Sequence, residues 1–323
     1  MTAMTVLVTQ PIHDEAIAAI RATGAQVRCL NSPRPLGGAE LAAASRDCHA
    51  LVTLLTDTVD RQVLTGNPAL RLVANVAVGY DNIDLAAARE AGVFVTNTPG
   101  VLTDATADLA MALLLGCARR LTEADRMIRD GNFPAWTLLQ EPMGLDVTGR
   151  TLGIVGMGRI GAAVARRAHH GFGMPILYTA RHDHPAEEAE LAGQRVELDE
   201  LLARADYVSL HTPLRPDTHH LIDERALRLM KPTAVLINTG RGPLVDEAAL
   251  ARALTAGWIA GAGLDVFEFE PRVVPELLAC RQRVVLAPHL GSATDSTRRR
   301  MSALAAESVI ALARGEQPVN RVV

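Results

Sequence analysis

The sequence predicts an α/β protein built from two doubly wound parallel sheets, and three observations carry that expectation. Short apolar runs alternate with helical patterns, the order that builds βαβ units and parallel strands. The series is interrupted by a long Ala/Leu-rich stretch and starts again at Thr151. At 323 residues, the chain is long enough for two domains that each bury a core.

In the first series, strands are expected at 6–9, 26–30, 50–54, 72–77 and 93–96, with a helix at about 14–23 and helical patterns between the later strands. After the turn at Pro99-Gly100, the Ala/Leu-rich run predicts one long helix over about 103–130. A loop with Phe133, Pro134, Trp136 and Pro142 leads out of it. In the second series, strands are expected at 151–155, 175–178, 207–210, 234–238, 259–266 and 284–287. Helices are expected at about 159–172, 199–204, 223–230, 246–256 and 294–315. The last helix follows the final strand of the second sheet, so by pattern alone either sheet can receive it.

Composition narrows the class. Hydrophobic residues make up 49% and charged residues 21%, which suits a folded globular enzyme and excludes a disordered or fibrous chain. No apolar run approaches the ~20 residues of a membrane span. The start, MTAMTVLVTQ, does not read as a signal peptide, so a cytoplasmic location is expected by default. Cys29, Cys48, Cys117 and Cys280 are scattered and form no CxxC pair, which points to reduced thiols over a disulfide framework or zinc site. The net charge of −4 with no basic block offers no footprint for nucleic acid. The only lysine is Lys231, before Pro232; Schiff-base and pyridoxal-phosphate chemistry, which need a lysine, are thereby disfavoured.

The strand at 151–155 runs directly into Gly156-Met157-Gly158-Arg159-Ile160-Gly161 and then a helix. The first glycine permits a tight turn, the second lets backbone approach a pyrophosphate, and the third allows close helix–strand packing. The helix N-terminus then faces the phosphates with free N–H groups. This order of strand, glycines, helix and second strand predicts a dinucleotide site. Met157 within it, like Met143 elsewhere, reads as a packing side chain more than a functional one. An NAD site places an acid about 20 residues past the glycines. Here the second strand ends at Thr179, followed by Ala180, Arg181 and His182, with no acid until Asp183. Arg181 can hold a 2′-phosphate, which favours NADPH with NADH as the alternative. The plainer reading is a surface arginine.

Ligands of doubly wound sheets bind beyond the carboxyl ends of the strands. Arg241, Glu270 and His289 follow three such strands, in NTGRG, GLDVFEFEP and APHLGSAT. Arginine can clamp a 2-oxo acid and polarise its carbonyl. Histidine can supply a proton as hydride arrives, and a carboxylate beside it orients the ring and favours the charged form. Taken singly, His289 can be a turn residue and Glu270 a solvated loop charge, as Glu268 is read to be. The remaining pairs, His169/His170, His182/His184 and His219/His220, join no acid or cysteine at metal-ligand spacing, and no metal is expected.

With these residues in hand, the chain closely resembles the D-isomer-specific 2-hydroxyacid dehydrogenases, particularly their glyoxylate/hydroxypyruvate reductase branch. The matching stretches run nearly the whole length: VAVGYDNID (76–84), NTPGVLTDATADLA (97–110), TLGIVGMGRIG (151–161), LHTPLRPDTHHLI (210–222), INTGRG (237–242), GLDVFEFEP (263–271) and APHLGSAT (287–294). The resemblance implies NAD(P)H-dependent reduction of glyoxylate or hydroxypyruvate, with Arg241, Glu270 and His289 as the catalytic trio. Backbone N–H groups around Val78 and Gly79 would hold the substrate carboxylate, joined by Arg241 and His289. Thr106 would lie near the nicotinamide, Asp265 near its amide and Pro213 beside the adenine, with His211, Thr212 and Thr239 completing the cofactor contacts.

It also implies a discontinuous, flavodoxin-like substrate domain (1–100 plus 289–323) into which a Rossmann domain (101–288) is inserted. A homodimer is expected, with Trp136 reaching the neighbouring active site or serving as a plain dimer contact or loop anchor. Departures from the family pattern bear on substrate: Phe133 where tryptophan is common, Gly240 where serine or alanine is usual, and an unfamiliar stretch at 272–275. Rival readings are a 2-ketogluconate or broad 2-oxo acid reductase and, from another class, a nucleotide-sensing protein like the corepressors that share the fold.

Overall fold

The computed structural model describes residues 4–32 and 34–323 and divides into two compact units. One unit comprises the chain up to Leu102 together with Ala293–Val323; the other is Thr103–Ser292. The divisions lie two and four residues beyond those expected from sequence, which keeps His289 with the second unit.

The first unit holds β1 (Thr5–Val8), β2 (Gln26–Cys29), β3 (Ala50–Thr53), β4 (Leu72–Asn75) and β5 (Phe94–Thr96). They are parallel and ordered β2-β1-β3-β4-β5, the flavodoxin-like arrangement. The central strands ALVT and LVAN are buried along their whole length, as strands covered on both faces must be. Between them run α1 (Asp14–Arg21), α2 (Gly38–Ala44), α3 (Arg61–Thr65) and α4 (Leu85–Ala91). Asp60 and Asp84 cap α3 and α4 by accepting from Val63 N–H and Ala87 N–H. The chain's last helix (Asp295–Ala313) packs on α1 and β4, which settles which sheet receives it. The terminal residues then pair with edge strand β5, Val322 N–H donating to Val95 O at 2.7 Å.

In the second unit, the long helix expected at 103–130 is two helices, α5 (Thr103–Ala118) and α6 (Leu121–Arg129). Arg120 between them is left-handed at φ +53°, and its guanidinium binds Glu123 at 2.6 Å and Glu141 at 2.5 Å. Those contacts bend a chain whose local pattern would have continued the helix. The strands are β6 (Leu152–Val155), β7 (Ile176–Thr179), β8 (Gln194–Arg195), β9 (Tyr207–Leu210), β10 (Val235–Asn238), β11 (Gly261–Leu264) and β12 (Val284–Leu286). All pair in parallel, in the order β12-β11-β10-β9-β6-β7-β8. The chain steps outward from β6 through β7 to β8, then crosses back to β9. The strand order therefore reverses between β6 and β9, where ligands of such sheets bind.

Helices α5 and α7 (Arg159–Phe172) pack together, with α5 also against β10 and β11. The others are α8 (Pro185–Leu191), α9 (Leu198–Arg204), α10 (Glu224–Leu229), α11 (Glu247–Ala256) and α12 (Pro275–Ala279), so the terminal helix of the first unit is α13. Short β8, α8 and α12 were not anticipated from sequence, and the strand expected at 259–266 is shorter. At the amino ends of β6 and β9, Asp206 accepts from Thr151 N–H (2.9 Å) and from Lys231 Nζ (2.8 Å). Among the described residues no helix is long and apolar enough to cross a membrane.

Candidate active site

Strand β6 ends at Val155 and the chain turns at Gly156, whose φ of +98° suits a residue without Cβ. A Cβ there would meet Thr212 N at 2.7 Å and His211 O at 2.9 Å, because the turn after β9 lies directly alongside. A Cβ on Gly161 would lie 2.1 Å from Gly156 O, so this glycine lets α7 close onto the turn. Gly158 differs: a Cβ there meets nothing within 4 Å. Its bare backbone, at the N-cap of the 14-residue α7, leaves open the space a pyrophosphate would take. Met157 is 2% exposed and packs in the core, as expected, while Arg159 and Ile160 open α7.

Thr179 ends β7, and its carbonyl accepts Gly156 N–H at 2.9 Å. Arg181 beyond it is exposed and paired with Asp217 at 2.7 Å, on the loop after β9. That same loop carries His211, Thr212 and Pro213. Burial pushes the His211 imidazole down to about 4, so the ring is neutral, with Nε2 2.8 Å from Ser209 Oγ. A second arginine, Arg195 on β8, binds Asp183 and donates to Ala180 O at 2.8 Å. Sequence reasoning missed it, since only the β7–β8 pairing, Tyr178 beside Arg195, brings it there.

The three strand-end residues converge. His289 Nδ1 lies 2.9 Å from Glu270 Oε2, while Glu270 Oε1 accepts from Phe267 N–H at 3.0 Å. Burial works to raise the Glu270 pKa; its bond to His289, the Phe267 N–H and the nearby Arg241 charge outweigh that and hold it below the usual carboxylate range. Arg241 sits in a turn fixed by Asn238, whose Nδ2 donates to Arg241 O at 2.8 Å and whose Oδ1 accepts Gly240 N–H at 3.0 Å. A Cβ on Gly242 would fall 1.9 Å from the Phe267 carbonyl, so the arginine turn rests on the backbone that leads to Glu270.

His289 is left-handed at φ +55°, a conformation an L side chain adopts at a cost of about 1–3 kcal/mol when its surroundings impose it. Asp265 imposes it here. Its carbonyl accepts His289 N–H at 2.8 Å, and its carboxylate accepts Leu290 N–H and Gly291 N–H at 2.6 and 2.7 Å. Burial raises the Asp265 pKa against those donors. Thr106 Oγ1 donates to Gly291 O at 3.2 Å, so both residues brace the histidine turn, a task the sequence did not reveal. Thr239 Oγ1, by contrast, is buried without a hydrogen-bond partner among the described residues. With the open face at Gly158, that orphaned hydroxyl fits a site completed by a polar ligand.

In the first unit, the side-chain amides of Asn75 and Asn97 hold the loop of Val78 and Gly79 by donating to Gly79 O (2.9 Å) and Val78 O (2.8 Å). Neither asparagine was singled out from sequence, although both stand inside or beside the quoted motifs. Trp136 is 72% exposed on the loop after α6, near Leu138 and Leu139 at 79% and 78%.

The sequence model of the NAD-binding domain of D-isomer-specific 2-hydroxyacid dehydrogenases matches residues 111–291, more than half of the chain. The chain belongs to this family. Among curated relatives, a glyoxylate reductase of Korarchaeum cryptofilum (strain OPF8) is 56% identical over 280 residues, 86% of this chain and 83% of the relative. One of Thermococcus onnurineus (strain NA1) is 49% identical over 324 residues, 98% of this chain and 96% of its own. A solved structure of an NADPH-dependent glyoxylate/hydroxypyruvate reductase from Sinorhizobium meliloti, in complex with NADP and malonate, superposes with a TM-score of 0.87 at 34% identity, covering 100% of this chain and 97% of that one. The resemblance seen in the motifs is thus borne out, and the second unit is a nicotinamide-cofactor domain.

One expectation about this dehydrogenase family member needs correction: Glu268 is no solvated charge. Its side chain is 12% exposed, bonded to His220 Nε2 at 2.8 Å and to Glu247 N–H at 3.3 Å. His219, His220 and Glu268 also bring ligand atoms within 4.8 Å, a cluster the spacing did not suggest. The two rings lie 4.0 Å apart and are tilted by 32°.

Proposed function

We propose that this family member reduces glyoxylate and hydroxypyruvate to the corresponding 2-hydroxy acids, with NADPH preferred over NADH. The observation that carries the reading is the 2.9 Å His289–Glu270 pair beside Arg241 at the strand ends of a nicotinamide-cofactor domain. Gly156–Gly161 and the α7 N-terminus hold the pyrophosphate, Thr239, Asp265 and Thr106 flank the nicotinamide, and His211, Thr212 and Pro213 border the adenosine. The bound nicotinamide supplies hydride to the carbonyl carbon. His289 gives the proton: with Nδ1 facing Glu270, Nε2 is the nitrogen left for the substrate oxygen. The ionised Glu270 stabilises the imidazolium before transfer. Arg241 clamps the 2-oxo acid, and the Val78 and Gly79 N–H groups receive its carboxylate. A homodimer is supported by the exposed Trp136, Leu138 and Leu139, an apolar run that a second copy would cover, with Trp136 entering the neighbour's site. Work in the cytoplasm fits the four free cysteines.

The test is kcat/KM for NADPH and NADH with glyoxylate, hydroxypyruvate, pyruvate and 2-ketogluconate. Preference for 2-ketogluconate would move the activity to a longer sugar acid, and cofactor binding without turnover of any 2-oxo acid would end the enzyme reading. The Arg181–Asp217 pair is exposed on both sides, so it holds little energy and yields readily to a 2′-phosphate. Arg181→Ala should therefore raise KM for NADPH roughly 10-fold, one lost charge-assisted contact, and leave that for NADH almost unchanged. Equal effects on both cofactors would remove Arg181 from that role. Glu270→Gln deletes the charge that pairs with the protonated imidazole, a coupling seen in the lowered pKa of Glu270. The alkaline limb of the reduction profile then moves down by about 1 pH unit or more; a limb that stays in place would dissolve the pair.

A further inference from the structure

We propose that Glu247 is a positioning residue for the His289–Glu270 pair: one buried carboxylate fastens both ends of the loop that carries Glu270. Glu247 is 3% exposed, at the first position of α11. Its Oε2 accepts Glu268 N–H at 3.0 Å and its Oε1 accepts Val274 N–H at 3.2 Å. Glu270 lies between those two anchor points. The Glu268 carboxylate returns the contact by accepting Glu247 N–H, so helix and loop are joined by three hydrogen bonds. The first turn of α11 favours a carboxylate there. A buried acid committed to two backbone donors on one short loop limits how far Glu270 can drift from His289.

Burial, with Glu268 and Glu270 close by, pushes the Glu247 pKa up, against the two N–H bonds that lower it. A raised native pKa means that ionisation of this group costs stability as pH rises above the ordinary carboxylate value. Glutamine removes that cost but keeps only one acceptor oxygen, so Glu247→Gln should fold well and still loosen the loop.

The inference rests on the proposed roles of His289 and Glu270. In full-length Glu247→Gln, assayed with NADPH and glyoxylate, kcat should fall about 10-fold to 100-fold, the range a misplacement near 1 Å produces. KM for NADPH should stay constant, the thermal midpoint should stay near the parent's, and the alkaline limb should shift to lower pH, as in Glu270→Gln. The loop side gives an independent variant. Val274 has φ −62°, which proline shares, so Val274→Pro deletes one donor without disturbing the backbone angle. The two changes should be non-additive when combined, since they cut one contact set. An unchanged kcat and pH profile in both variants would overturn the inference. So would a rate loss that follows the thermal midpoint alone. If Glu270→Gln itself leaves the profile untouched, the fault lies in the dyad; if it shifts the profile and the Glu247 and Val274 variants do not, the fault lies in the anchor.

Discussion

Replacing His289 with asparagine should lower kcat for glyoxylate reduction by about 10²–10⁴-fold, the usual worth of a positioned acid or base. Asparagine is the informative choice because it tolerates the left-handed φ of +55° better than most residues. The Asp265 contacts to the turn use backbone N–H groups of residues 289–291 and survive the change. What disappears is the imidazole, and with it the proton at the substrate oxygen and the partner of Glu270. NADPH affinity, read by fluorescence titration, should remain near that of the parent, because the glycine turn and Arg181 are untouched. Stopped-flow oxidation of bound NADPH gives the chemical step directly. A rate within a few-fold of the parent would assign the proton to another donor and reduce the Glu270–His289 contact to a structural ion pair.

Gly158→Val should cost roughly 100-fold in cofactor affinity, taking two charge-assisted hydrogen bonds of about 1.5 kcal/mol each as lost. The same substitution should lower the thermal midpoint of the protein without cofactor only by the modest cost of a poorer N-cap, because a Cβ at Gly158 meets no atom within 4 Å. Gly161→Ala should do the reverse. Its Cβ would sit 2.1 Å from Gly156 O, so α7 must move off the turn, an overpacking that costs about 1–3 kcal/mol in the folded state itself. Calorimetry and cofactor titration on both variants would separate the two tasks. If Gly158→Val destabilised the protein as much as Gly161→Ala, the open face at Gly158 would be a packing position instead of a phosphate seat.

Much of this was legible in the chain because it is local. Buried parallel strands read as continuous apolar runs, so both sheets could be drawn from sequence, and the glycine turn follows from residues a few places apart. The trio could be nominated because strand ends are fixed once the strands are. What escaped notice depends on contacts between distant residues. The break at Arg120 needs Glu141, and the place of Arg195 needs the pairing of β8 with β7. Glu268 looked like a solvated charge until His220 and Glu247 were brought against it from positions 48 and 21 residues away. The resemblance implies cofactor contacts for Asp265 and Thr106, yet the hydrogen bonds they make brace the histidine turn. Asn75 and Asn97 act through backbone carbonyls, which no motif advertises.

The single lysine has a practical consequence. Lys231 is bonded to Asp206 at the amino ends of β6 and β9, the opposite side of the sheet from the glycine turn and the strand-end trio. Apart from the chain's own amino group, it is the only primary amine available to acylating reagents. Coupling to an activated ester surface through this side chain, with the chain's amino group blocked, would therefore tether every molecule by the same point, with the cofactor edge of the domain facing away from the support.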